Sequence, residues 1–214
     1  MIKMTECNFS QGSFLTVAGE GIKEQIIEKS RFIGLVRPVK TIADVERHMQ
    51  EVKREYPNAR HYVYAYRLYQ NKLEKSSDDG EPQGTGGRPI LELLQHRQLW
   101  DIQIIVVRYF GGILLGTGGL TRAYGGTARL ALEQAGITKL ECYAVYKLEL
   151  SYAWFDQLKY VIQQKGWKPG EESFADKVSL EVYVPATEAG NFENWLDDYT
   201  KKQVAWVRVK HLMR

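Results

Sequence analysis

The segment RYFGGILLGTGGLTRAYGGTARLALEQAG, from Arg108 to Gly136, contains eight of the chain's nineteen glycines. It continues IQIIVVRY (Ile102–Tyr109), a run rich in β-branched residues that reads as a buried strand. Beyond the glycines, Leu120, Tyr124, Thr127, Ala131 and Ala135 recur at helical spacing, and Gly136 supplies a C-cap. A buried strand that passes through a glycine-rich turn into a helix restricts the chain to folds in which a helix lies close on a sheet. Ala123, Gly125, Gly126, Ala128 and Ala131 make a helix face trimmed for that approach.

The rest of the chain fits such a mixed fold. Phe14–Val17, Glu24–Glu28 and Arg31–Val39 read as strands, and Ile42–Tyr56 as a helix capped by Thr41 and stopped by Pro57-Asn58. HYVYAYRL (His61–Leu68) alternates, with Tyr62, Tyr64 and Tyr66 on one face and Val63, Ala65 and Arg67 on the other. A polar stretch, Gln70–Pro89, leads to a short helix over Pro89–Leu99. Near residue 140 glycine becomes rare and the order turns to β (Ala144–Leu150), α (Trp154–Lys165), β (Trp167–Phe174), β (Lys177–Val184), α (Thr187–Tyr199), β (Gln203–Val209). That βαββαβ unit has the ferredoxin-like order. The expectation is an α+β chain of two domains, 1–138 and 139–214.

Charge and cysteine usage narrow the function. Residues 1–138 hold 18 Lys+Arg against 15 Asp+Glu, whereas residues 139–214 hold eleven of each, so the net charge of +3 lies in the glycine-rich part. Cys7 and Cys142 lie in no CxxC or Cys/His ligand pattern, which argues against a disulfide framework and a zinc site. MIKMTECNFSQG lacks an apolar signal core, and no apolar run is long enough to span a bilayer, so no membrane partner is expected and the cytoplasm is the expected location.

GTGG occurs twice, at Gly84, Thr85, Gly86, Gly87 and at Gly116, Thr117, Gly118, Gly119, each time ahead of a predicted helix. A glycine turn entering a helix aims unpaired N–H groups outward, with the positive end of the helix dipole behind them. Arg88 adjoins the first turn, Arg108 and Arg122 flank the second, and Arg129 follows Arg122 by seven residues on the same helix. These residues are the candidates for holding an anion or nucleic-acid phosphate. The competing reading is that the glycines serve packing alone. No GxxxxGK[ST] is present, and the loose GxGxxT of LGTGGL lacks the acidic residue of a dinucleotide fold.

Asp78, Asp79 and Glu81 make a candidate magnesium cluster or, more commonly for such a pattern, a solvated turn around Asp79-Gly80. Tyr62, Tyr64 and Tyr66 suit either base stacking or sheet packing. The outer face expected for KVSLEVYVP, Ser179, Glu181 and Tyr183, argues against the base-stacking platform of an RNA-recognition motif. No nucleophile signature is legible, so no catalytic residue is assigned and no cofactor is expected.

Taken together, EKSRFIG, HYVYAYRL, SDDGEPQGTGGRP and VVRYFGGILLGTGGLTRAYGG resemble the IMPACT/YigZ family, in particular its bacterial two-domain, YvyE-like members. The resemblance covers nearly the whole chain. It implies a first domain like the second domain of a small-subunit ribosomal protein, and a second domain like the last, ferredoxin-like domain of elongation factor G. It also implies a non-enzymatic cytoplasmic factor linked to translation, binding RNA, the ribosome or a translation protein. The alternative is a phosphate- or nucleotide-binding enzyme using the glycine-rich cleft, with magnesium on Asp78, Asp79 or Glu81. The chain departs from the family at Gly86, where the family often has alanine, and at Val63, where it often has a cysteine or another small residue.

Overall fold

A computed structural model describes residues 12–213, so MIKMTECNFSQ falls outside the described residues. The structure divides into two compact units, residues 14–139 and a second that contains residues 140–213. No helix is long and apolar enough to cross a membrane among the described residues.

The first unit is built on a five-stranded antiparallel sheet. Its strands are β2 (Gly21–Ile27), β3 (Ser30–Pro38), β4 (His61–Leu68), β5 (Leu73–Ser77) and β6 (Ile102–Tyr109), in the order β2-β3-β6-β4-β5. A separate two-stranded pairing joins β1 (Phe14–Val17) to β7 (Ile137–Leu140). The central strand β6 is buried from Ile102 to Arg108, as a β-branched run flanked by strands on both sides requires.

Alternation along β4 and β6 sorts side chains to the two faces. Val63, Ala65, Ile104 and Val106 face helices α2 (Gly87–His96) and α3 (Gly116–Ala135). Ile105, Val107, Tyr62 and Tyr64 face α1 (Ile42–Glu55). The start of α1 is set by a capping box: the Asp44 amide donates to Thr41 Oγ1 at 3.1 Å, and the Thr41 amide donates back to Asp44 Oδ2 at 3.0 Å.

The close seat of α3 on the sheet comes from both partners. A Cβ on Gly34 of β3 would lie 2.9 Å from the Thr127 carbonyl, and one on Gly21 of β2 would run into the Ala131 carbonyl. Gly125 and Gly126 on the helix have only ordinary contacts at those positions. The helix contributes alanines, and the strands contribute the glycines that admit them.

The second unit runs β8 (Cys142–Leu150), α4 (Tyr152–Gln164), β9 (Lys168–Phe174), β10 (Val178–Pro185), α5 (Ala189–Thr200), β11 (Ala205–Met213), with sheet order β11-β8-β10-β9. This is the βαββαβ order read from the sequence. Leu158 and Ile162 of α4 and Phe192 of α5 close a core with Tyr146 and Leu148 of β8 and with Val178, Leu180 and Val182 of β10.

On the opposite face, Ser179, Glu181 and Tyr183 pair with Glu149, Lys147 and Val145 of β8. Tyr183 is buried there with Tyr143, Val145 and Leu212, so β10 offers no open aromatic platform. Cys142 is buried at the start of β8, and Cys7 lies outside the described residues.

Candidate anion-binding cleft

The two GTGG turns have different local chemistry. In the first, the amides of Gly84, Gly86 and Gly87 all donate to the Asp78 carboxylate, at 2.8, 2.9 and 2.8 Å. Burial pushes the Asp78 carboxyl up, but these three donors outweigh it and hold it below the usual carboxylate range. A Cβ on Gly87 would lie 2.7 Å from the Ser77 backbone, and one on Gly86 would lie 2.8 Å from Val63 Cγ1. The N–H groups of this turn are therefore engaged by the chain's own anion, and Gly86 and Gly87 serve close packing.

The second turn is open. Gly116 has φ +66° and, like Gly112, nothing near the position of a Cβ, and Gly118 faces only the Arg122 guanidinium at 3.7 Å. Helix α3 begins at Gly116, four residues before the periodic pattern starts, and no side chain caps it. Its first N–H groups thus lie uncapped at the positive end of a twenty-residue helix.

Gly116 and Thr117 line a cleft of about 470 Å³ together with Arg60, His61, Glu81 and Arg108. Strand pairing assembles this wall: His61 of β4 stands opposite Arg108 of β6, and the Arg60 amide donates to the Arg108 carbonyl at 2.9 Å. Arg108, only 5% exposed, donates from Nη1 to Glu81 Oε1 at 2.6 Å, and its Nε has no acceptor. Its guanidinium carbon lies 5.3 Å from the Phe32 ring and 5.5 Å from that of Phe110. Tyr124 donates its hydroxyl to the same Glu81 oxygen at 2.7 Å. Burial, reinforced by Glu81, pushes the Tyr124 hydroxyl far up, so it remains a donor.

His61 pairs its Nδ1 with the Asp79 carbonyl at 2.7 Å. A carbonyl only accepts, so Nδ1 carries a hydrogen, and Nε2 is the nitrogen turned toward Glu81 Oε1, 3.7 Å away. The rest of the lining is apolar, from Pro82, Phe110, Leu114, Leu115 and Leu120. Phe110 is 48% and Leu114 88% exposed.

The structure thus brings Arg108, Gly116 and Thr117 together and keeps other sequence candidates apart. Arg88 is exposed and paired with Glu92 at 2.8 Å. Arg129 lines a different, smaller cavity with Arg97 and Glu133. Asp78, Asp79 and Glu81 are directed to separate partners: the glycine amides, the Tyr62 amide at 2.6 Å, and Arg108. No group of three or more His, Cys, Asp or Glu able to hold a metal occurs among the described residues. Tyr62 and Tyr64 are half-buried against the α1 layer, and Tyr66 is buried beside Val39, Val45 and Leu68, which is packing rather than an open stacking face. Arg60, His61 and Phe110 were not singled out by the sequence, because only strand pairing brings them to the glycine turn.

The fold and cleft define a two-unit α+β protein with a basic, partly apolar cleft at a helix N-terminus. The chain belongs to the IMPACT family. The Impact N-terminal domain matches residues 28–132, and a domain of unknown function, DUF1949, matches residues 148–201. The chain is 35% identical to the IMPACT family member YvyE of Bacillus subtilis (strain 168), covering 88% of this chain and 87% of that protein. It is 34% identical to YigZ of Escherichia coli (strain K12), over 82% of this chain and 87% of that one. A crystal structure described as that of a hypothetical protein superposes with a TM-score of 0.62 at 31% identity, covering 94% of this chain and 98% of its own.

Proposed function

We propose that the protein is a non-enzymatic, cytoplasmic RNA-binding factor linked to translation, and that its first unit holds RNA phosphate at the open turn Gly116–Gly119. The observation that carries this reading is the contrast between the two turns: one is closed by Asp78, and the other is uncapped beside Arg60 and Arg108. Unpaired helix amides, a helix dipole and arginine are the groups that bind phosphate without reading sequence. Arg122, exposed next to Gly118, extends the basic edge.

What the family resemblance implies, a first domain (1–138) like a ribosomal-protein domain and a second (139–214) like the last domain of elongation factor G, supports a ribosomal setting. The enzyme alternative needed magnesium on Asp78, Asp79 or Glu81, and those carboxylates are directed to three different sets of partners. The test is fluorescence anisotropy with single-stranded RNA across a salt series. Affinity should fall steeply with salt, and Arg60→Ala should weaken binding and lower the salt slope by about one. Absence of binding at low salt, or binding indifferent to salt, defeats the reading.

A further inference from the structure

Resting on that reading, we propose that the cleft takes one nucleotide bearing a terminal phosphate, rather than an internal stretch of RNA backbone. Three features of the cleft define this ligand. Its volume of about 470 Å³ suits a single compact ligand rather than a run of nucleotides. Its polar wall carries Arg60 and Arg108 against the single carboxylate of Glu81, with the His61 ring beside that carboxylate. A terminal phosphate brings up to two negative charges and three acceptor oxygens, whereas an internal phosphodiester brings one charge.

The apolar part of the lining fits the rest of a nucleotide. Phe110 and Leu114 are exposed apolar groups on the loop that leads into Gly116, so a base can lie against them while its phosphate meets the amides at the start of α3. The base of that loop is fixed, because the Gly111 amide donates to buried Ser30 Oγ at 3.2 Å. A free nucleotide and the phosphorylated end of an RNA present the same chemistry to this cleft, and the experiment separates them.

The experiment compares 5′-phosphorylated, 3′-phosphorylated, hydroxyl-ended and circular forms of one short RNA by anisotropy, with free AMP and UMP followed through the amide resonances of Gly116 and Gly118. A phosphorylated end should bind at least about tenfold more tightly than the hydroxyl-ended form. Arg60→Ala should abolish that preference, and Phe110→Ala should weaken both RNA and free nucleotide about tenfold. Equal affinity for all four RNAs overturns the inference and leaves RNA binding standing. AMP and UMP shifting the two amides without any RNA binding keeps the nucleotide site and overturns the RNA reading. Silence in both assays overturns both.

Discussion

Glu81 and Arg108 form a buried ion pair, 2.6 Å from Oε1 to Nη1, with side-chain exposures of 4% and 6%. Such a pair is weak evidence of net stabilisation, since two charges have been taken from water, but removing one partner leaves the other uncompensated. Arg108→Ala and Glu81→Ala should each destabilise the first unit by about 3 kcal/mol. The double variant should cost clearly less than the two singles together. Urea unfolding of the four proteins measures this; additive losses would show that the pair is not coupled.

Asp78 is the cap of the first glycine turn. Asp78→Ala should cost about 3 kcal/mol by stranding the amides of Gly84, Gly86 and Gly87, while Asp78→Asn should cost less, because its carbonyl oxygen still accepts. Because the folded carboxyl is held low, the unfolded chain takes up this proton first as pH falls. The contribution is therefore complete above the unfolded value of about 3.9 and is lost as pH drops through the folded one. Urea midpoints between about pH 6 and about pH 2.5, which bracket that value, should show a shallower acid limb in Asp78→Asn.

His48 gives a second pH dependence in a different range. Burial, then the charge of Arg37, hold its imidazole below the usual value, and Nδ1 pairs with Gln103 Oε1 at 2.9 Å. The unfolded state again binds the proton first, so stability should begin to fall as pH drops below about 6.5. His211, held low by burial and then by Arg208, acts in the same direction. His48→Gln should therefore flatten the slope between about pH 7 and about pH 5 without removing it, as read by thermal unfolding.

The two glycine turns should respond oppositely to alanine. Gly87→Ala drives a methyl group into the Ser77 backbone and should cost about 2 kcal/mol or more, as overpacked sites do. Gly118→Ala meets only a guanidinium at 3.7 Å and should leave the melting temperature within about two degrees, the shift expected of a surface change. Equal losses at the two positions would contradict the distinction drawn between a packed turn and an open one.

Much of the fold was legible because local signals agreed with tertiary demands. His61–Leu68 and Ile102–Tyr109 alternate or run apolar to their ends, and Thr41 marks the start of α1. β5 (Leu73–Ser77) and β7 (Ile137–Leu140) were not read, since LEKSS is a polar edge strand without alternation and ITKL is only four residues long. In the cleft, Arg108, Gly116 and Thr117 were visible from one segment. His61 was not, because its position opposite Arg108 depends on which strands pair, a choice that periodicity does not encode. The role of Asp78 had a signal, a carboxylate placed shortly before a run of glycine amides. That the loop would fold back on this group is a tertiary outcome.

The Asp78 cap also sets a condition for competition. A carboxylate joined to its own binding loop by six to nine residues is a ligand at high effective concentration, present whenever the unit is folded. An anion in solution would have to displace it against that local excess, while at Gly116 it would compete with water alone. Identical tetrapeptides in one chain can thus differ in availability by the presence of a single tethered competitor, and transplanting such a carboxylate ahead of Gly116 is a direct way to close the second turn.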